Sequence, residues 1–126
     1  MINTNTIEQL EQDFWGESEF DSYLVRSTHE LRKKPLEEFT VENLRLMIGQ
    51  QVGLKYLIPL AIKELSNNPL IGGAFYEGDL LNSVLTVPPK FWEEHLDWKK
   101  QIQQILQTIP TLPEELKNAS NTWIES

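Results

Sequence analysis

Side chains that could carry out acid–base or metal chemistry are few in this sequence. It has two histidines and no cysteine, and the histidines, His29 and His95, stand far apart. Around His95, the residues Glu93, Glu94 and Asp97 could be imagined as metal ligands. The run lacks the pair of histidines four positions apart that a zinc-binding helix needs. We therefore expect no metal site, and we expect the His95 ring to pack on an apolar helical face.

Signatures of other catalytic or cofactor sites are missing from the sequence as well. The glycines Gly72, Gly73 and Gly78 match neither a phosphate-binding loop nor a dinucleotide fingerprint, since no Lys-Ser/Thr follows them and no strand is predicted before them. No serine stands in the strand–turn–helix motif of a hydrolase nucleophile. The sequence predicts a protein that is not an enzyme and that holds no cofactor.

Aromatic and acidic residues in or beside predicted loops suit binding better than catalysis. Buried rings anchor protein interfaces, and charged side chains at the rim select a partner of opposite charge. Two segments combine both residue types, and we predict a partner interface there. Its residues are Trp15, Glu17, Glu19, Phe20, Asp21 and Tyr23 in the first segment, and Phe75, Tyr76, Glu77 and Asp79 in the second. The alternative for each single ring is that it closes one end of the helical core.

Charge narrows the class of partner. The formal net charge is −8 and the isoelectric point is near 4.7. This acidic balance argues against direct binding of nucleic acid, because phosphate contacts need clustered lysines and arginines. Residues 1–25 hold six acids and no base. Such a segment is either a solvated face or a surface that attracts a basic protein partner and speeds association.

The sequence shows no pattern of export or membrane insertion. Its first residues lack the basic and apolar regions of a secretory signal, and no apolar run approaches the roughly 20 residues of a membrane-spanning helix. The absence of cysteine is consistent with a reducing compartment. We expect a cytoplasmic protein.

The elements that must position these side chains centre on residues 39–65, the most apolar stretch of the chain. Thr40 is expected to cap a helix by accepting an amide N–H, and Gly49 and Gly53 predict a break between two short helices. The polar side chains of Glu42 and Arg45 are expected to face solvent. Spacing by three and four residues predicts these core positions: Leu44, Ile48, Leu57, Ile58, Ala61 and Leu65.

Further helices are predicted on both sides of this stretch. Capping and turn residues place them at 6–14, from 21 or 22 to 33, shortly after Asp79, at 89–108 and at 113–123. The first is expected to bury Ile7, Leu10 and Phe14. The helix 89–108 is expected to bury Phe91, His95, Trp98, Ile102, Ile105 and Ile109. No sustained alternation predicts a strand. We therefore predict an all-α fold, with residues 1–126 forming a single compact domain of six or seven short helices.

Several motifs occur in the order found in one bacterial family. They are DFWGE at 13–17, FDSYLV at 20–25, LRKKPL at 31–36, FTVENLRLMIGQ at 39–50, YLIPLA at 56–61 and FYEGDLL at 75–81. On these motifs the chain resembles the immunity proteins of contact-dependent growth inhibition (CDI) systems. The resemblance covers roughly residues 7–92. The helices predicted within 99–126 lie outside it and are expected to be specific to a subgroup.

The resemblance implies a protein that resides in the cytosol and binds the toxin domain delivered by a neighbouring cell. It brings no catalytic residues with it. Many such toxins are nucleases with basic substrate-binding surfaces, and an acidic inhibitor could occupy such a surface. The residues alone leave two other hypotheses open. One is an adaptor that self-associates through the helix around 91–109, and the other is a metal-assisted hydrolase that uses His95, Glu94 and Asp97.

Overall fold

The computed structural model describes residues 5–14, 23–114, 116, 117, 119 and 123, and in this part of the chain all regular structure is helical. The α-helices are α1 (Ile7–Glu11), α2 (Tyr23–Arg32), α3 (Val41–Gly49), α4 (Leu54–Asn67), α5 (Asp79–Leu85), α6 (Pro89–Glu93) and α7 (Leu96–Gln107). A short 3-10 helix, Leu36–Glu38, joins α2 to α3. The described residues thus confirm the predicted all-α class and the number of helices.

Helices α3 and α4 form the centre of the structure. Helix α3 contacts α2, α4 and α5, while α4 also contacts α5 and α7. The predicted core positions are buried, with at most 2% of each residue exposed: Leu44, Ile48, Leu57, Ile58, Ala61 and Leu65. Removing such a side chain from water contributes about 1.5–3 kcal/mol, so the face predicted from helical spacing is the one that stabilises the fold.

Two capping boxes fix where α1 and α3 begin, at the threonines that the sequence predicts. The Thr40 hydroxyl accepts the N–H of Asn43 at 3.1 Å, and the Asn43 side chain accepts the Thr40 N–H at 3.1 Å. Thr6 and Gln9 form the same reciprocal pair at the start of α1. Each box satisfies two amide donors near the helix start, where the first turn offers no carbonyl partner.

The predicted break between α3 and α4 turns at Gly53. Its φ is +66°, and a Cβ added there would lie 2.8 Å from Cδ1 of Ile7. The left-handed backbone and the close approach of Ile7 together favour glycine at this position. The same residue therefore turns the chain into α4 and leaves space for α1 to pack against the turn.

Helix α1 is shorter than the predicted 6–14. The chain leaves the helix at Gln12, whose φ of 54° is left-handed and whose N–H donates to the carbonyl of Glu8. The helix does not continue past this residue. Phe14, which the sequence places on the buried face with Ile7, is therefore 66% exposed.

The last long helix of the prediction is two helices in the structure, α6 and α7. The backbone of His95, with φ −139° and ψ 61°, interrupts the helical register between them. Of the predicted stripe, Ile102 and Ile105 are buried, but Phe91 is only partly buried. Trp92 is buried instead, and its indole N–H donates to the carbonyl of Val87 at 3.2 Å. On α7, which the self-association hypothesis uses, Ile102 and Ile105 pack inside this fold, whereas Leu96 is exposed.

Residues from the predicted last helix close the core beside α5. Leu116 is fully buried, and the Trp123 indole N–H donates to the carbonyl of Leu85 at 3.0 Å. The Trp123 ring meets the Trp92 ring edge to face, with centroids 5.0 Å apart. The segment predicted as the last helix thus contributes Leu116 and Trp123 to the core.

Candidate protein-binding surface

The segment that joins α4 to α5 presents an aromatic ring to solvent. We call residues 71–78 the Phe75 loop. Phe75 is 70% exposed, and Glu77 beside it is also exposed. A large apolar side chain in water suggests a binding site when the backbone around it is held in place. The hydrogen bonds of this loop therefore determine whether the ring has a fixed position.

The carboxylate of Asp79 holds the loop from inside. It accepts the backbone N–H of Gly73 at 2.6 Å, of Phe75 at 3.0 Å and of Tyr76 at 3.4 Å. Asp79 is the first residue of α5 and is only 2% exposed. The sequence suggests an interface carboxylate at this position, and the structure corrects that assignment: Asp79 is a buried acceptor for loop amides and does not reach the surface.

A second carboxylate, that of Glu42 in α3, holds the loop from the other side. It accepts the Ala74 N–H at 2.9 Å, and it is bound in a two-pronged ion pair by Arg45, with Nε–Oε1 at 2.6 Å and Nη2–Oε2 at 2.5 Å. The hydrogen bond from Arg45 lowers the pKa of Glu42, against desolvation that raises it. The same bond raises the pKa of Arg45.

The guanidinium of Arg45 also covers the exposed ring. Its Cζ lies 4.3 Å from the centroid of Phe75, a distance at which a cation is attracted by the ring's electrons. Glu42 therefore fixes Arg45, and Arg45 fixes the ring. Spacing alone predicts Glu42 and Arg45 to face solvent, but both are only partly exposed, because each also contacts the Phe75 loop. The sequence does show that Glu42 and Arg45 have opposite charges and stand three positions apart in α3, which favours an ion pair. It does not show their contact with Phe75, which lies far from them in the chain.

Glycine at 73 lets the loop backbone approach both carboxylates. A Cβ there would lie 2.5 Å from Oε1 of Glu42 and 3.3 Å from both carboxylate oxygens of Asp79. A side chain at this position would therefore displace the Glu42 carboxylate from the loop. Gly73, which belongs to no phosphate-binding motif, thus has a structural use, which is close approach of the loop backbone to two acidic side chains.

Of the other predicted interface residues, the structure describes Tyr76 and Tyr23. Tyr76 is half-buried, and its hydroxyl accepts the side-chain N–H of Asn82 at 2.7 Å. Tyr23, at the start of α2, is 73% exposed. The remaining predicted residues lie outside the described part of the chain: Trp15, Glu17, Glu19, Phe20 and Asp21. Within the described residues, Phe75 and Glu77 are the predicted positions that share one exposed loop.

The junction of α6 and α7 shows what His95 does. Its ring stacks on Trp98 with centroids 4.5 Å apart and planes 12° apart, and it lies 4.5 Å from the Phe91 ring. This is the packing role that the sequence predicts for His95. Among the described residues, no group of three or more histidine, aspartate or glutamate side chains could hold a metal ion.

Comparison with known proteins agrees with the resemblance seen in the motifs. Residues 9–102 match a family model of CDI immunity proteins. That range is most of the chain and contains α2 to α6, the Phe75 loop and most of α7. A comparison with curated proteins gave no match. No helix in the described residues is long and apolar enough to cross a membrane.

Proposed function

Because this chain belongs to the family of CDI immunity proteins, we propose that it binds the cognate toxin domain of a contact-dependent growth inhibition system and neutralises it. Neutralisation occurs by stoichiometric contact in the cytoplasm and involves no turnover of a substrate. The family match over residues 9–102 is the observation that supports this proposal most strongly.

The charge of the chain supports a basic partner. With a net charge of −8, the protein attracts positively charged surfaces, and complementary charge speeds association and selects between partners. A toxin that cleaves nucleic acid needs a basic surface for phosphate contacts. We propose that this acidic chain covers such a surface, so that the toxin's substrate is excluded.

The proposed contact surface consists of residues from the two segments predicted from the sequence. The Phe75 loop supplies an exposed ring with Glu77 beside it. Residues 15–21 supply further rings and carboxylates, and Tyr23 extends that segment into the described part of the chain with an exposed ring. Aromatic anchors surrounded by polar groups are the usual basis of tight protein complexes.

Protection of growing cells tests this function. The toxin domain encoded beside this chain is produced in cells with and without the chain, and growth is followed. We expect growth arrest by the toxin alone and normal growth when both proteins are present. As a control for specificity, a toxin domain from a different CDI system should still arrest growth. Arrest by the cognate toxin in the presence of folded chain would refute the proposal.

A further inference from the structure

We propose that Phe75 is the central anchor of the toxin interface, and that Glu42 and Arg45 are positioning residues that hold its ring ready to bind. This inference rests on the proposed function and adds to it where the toxin binds and what its surface must offer. The complementary surface is an apolar pocket wide enough for a phenyl ring, with a basic side chain at its edge that faces Glu77.

The loop backbone is held at every residue that flanks the ring. Four consecutive amide groups, those of Gly73, Ala74, Phe75 and Tyr76, donate to the carboxylates of Asp79 and Glu42. Each bond to an ionised acceptor is stronger than a neutral hydrogen bond. The conformation of the loop is thus set before any partner arrives, and binding does not have to order the backbone.

The ring itself is exposed and oriented. It is 70% exposed, so the core gains little from it. The Arg45 guanidinium lies 4.3 Å from its centroid, and the attraction between cation and ring favours this orientation. A phenyl ring left in water does not contribute the stability that its burial in the core would give. A ring that is already held in one place loses less conformational entropy when it enters a partner. Aromatic side chains that bind in this way account for much of the affinity of protein complexes.

Charge indicates which kind of pocket accepts the ring. Glu77 is exposed on the same loop, and the described residues provide it with no ion pair. A lysine or arginine at the edge of the toxin pocket would pair with Glu77 when Phe75 enters. Because that pair lies at the rim, its contribution is mainly to the association rate and to the choice of partner.

The test compares binding of purified toxin domain to the intact chain and to variants, measured as association and dissociation rates on an immobilised surface. We expect Phe75→Ala to weaken binding by about 30-fold or more, mainly through faster dissociation. Leu96→Ala is the matched control, because Leu96 is a large apolar residue that is also exposed, at 65%. It should bind as the unchanged chain does.

The role of Arg45 is tested by coupling to Phe75. Arg45→Met removes the ion pair and the cation above the ring, and we expect binding about 3- to 10-fold weaker in the unchanged background. In the Phe75→Ala background the same change should have no further effect, since Arg45 acts through the ring. Arg45→Lys keeps a charge but not the two-pronged geometry, and it should give an intermediate loss. Thermal unfolding of each variant checks that it is folded.

The outcomes separate this inference from the proposed function. If the unchanged chain does not bind the toxin domain, the proposed function fails and the inference fails with it. If the chain binds but Phe75→Ala binds equally well, or if Leu96→Ala is the variant that loses affinity, Phe75 is not the anchor. If the effects of Arg45→Met and Phe75→Ala add, Arg45 does not act through the ring and its positioning role is refuted.

Discussion

The buried carboxylate of Asp79 accepts the backbone N–H of Gly73 at 2.6 Å, six positions earlier in the chain. This bond closes the Phe75 loop onto the first residue of α5. With Glu42 on the opposite side of Gly73, the loop backbone lies between two acidic side chains. The exposed ring of Phe75 is therefore carried by a segment whose amides are satisfied inside the protein.

We predict that Asp79→Asn destabilises the chain by about 1–3 kcal/mol. An amide keeps one acceptor oxygen but turns a donor toward loop N–H groups, and buried groups left without a partner cost about this much. Chemical denaturation measures the change, and amide exchange at Gly73 and Phe75 should become faster. Glu77→Gln, an exposed change in the same loop, is the control. Equal stability of the two variants would contradict the role assigned to Asp79.

Stability should depend on pH through Glu42. Its pKa in the folded chain lies below the ordinary value of 4.5 because of the hydrogen bond from Arg45. A carboxylate with a lowered folded pKa stabilises the protein fully above the unfolded pKa, and this contribution is lost as pH falls through the folded pKa. We expect the difference in unfolding free energy between the unchanged chain and Glu42→Gln to shrink below pH 4.5. A difference that grows on acidification would contradict this.

His95→Ala should lower stability and leave toxin binding unchanged. The ring stacks on Trp98 and Phe91, and aromatic contacts of this kind contribute about 0.5–1.5 kcal/mol each beyond burial. His95→Phe keeps the stacking and should recover most of the loss. Thermal unfolding and toxin titration measure the two effects. One equivalent of zinc in protein purified without added metal would show that His95 has a different role.

Association with a basic toxin should slow when the acidic segment is reversed in charge. The change is Glu17, Glu19 and Asp21 to lysine, all outside the described residues. We expect a slower association rate because steering by opposite charge is lost, and a weaker dependence of that rate on salt. Stopped-flow mixing with the toxin domain measures both, with circular dichroism as the check of folding.

The control for this experiment alters the same amount of charge elsewhere. Glu93, Glu94 and Asp97 are exposed at the junction of α6 and α7, and changing these three to lysine shifts the net charge equally. If both triple variants slow association to the same extent, only net charge matters. If the first variant binds at an unchanged rate, the segment 17–21 is not part of the interface.

Local rules were sufficient to predict much of the fold. Thr6 and Thr40 cap their helices because a hydroxyl placed before a helix accepts a free amide N–H wherever the chain allows it. The turn at Gly53 and the buried face of α4 follow from glycine geometry and helical spacing. The division at His95 was missed, because residues 90–108 contain no proline or glycine that would break a helix. In the structure the Trp92 ring is buried and packs on Trp123, a contact with a distant segment that helical spacing cannot show.

The site was predictable only in part, since its contacts join distant segments. The exposed ring of Phe75 and the acidic Glu77 could be found from a loop rich in glycine, aromatic and acidic residues. The role of Asp79 as a buried acceptor could not be found in this way, because a carboxylate at a helix start is equally compatible with a surface position. Arg45 and Glu42 reach the loop only through the packing of α3 against α5, which no local pattern reveals.

Calorimetric titration of the cognate toxin domain into this chain measures whether the two proteins bind and in what ratio. We expect saturable binding with one toxin domain per chain, and an affinity that falls as salt is raised. The same titration with a toxin domain from a different CDI system should give no heat of binding. If the folded chain does not bind the cognate domain, or binds both toxins equally, then it does not neutralise its toxin by specific binding.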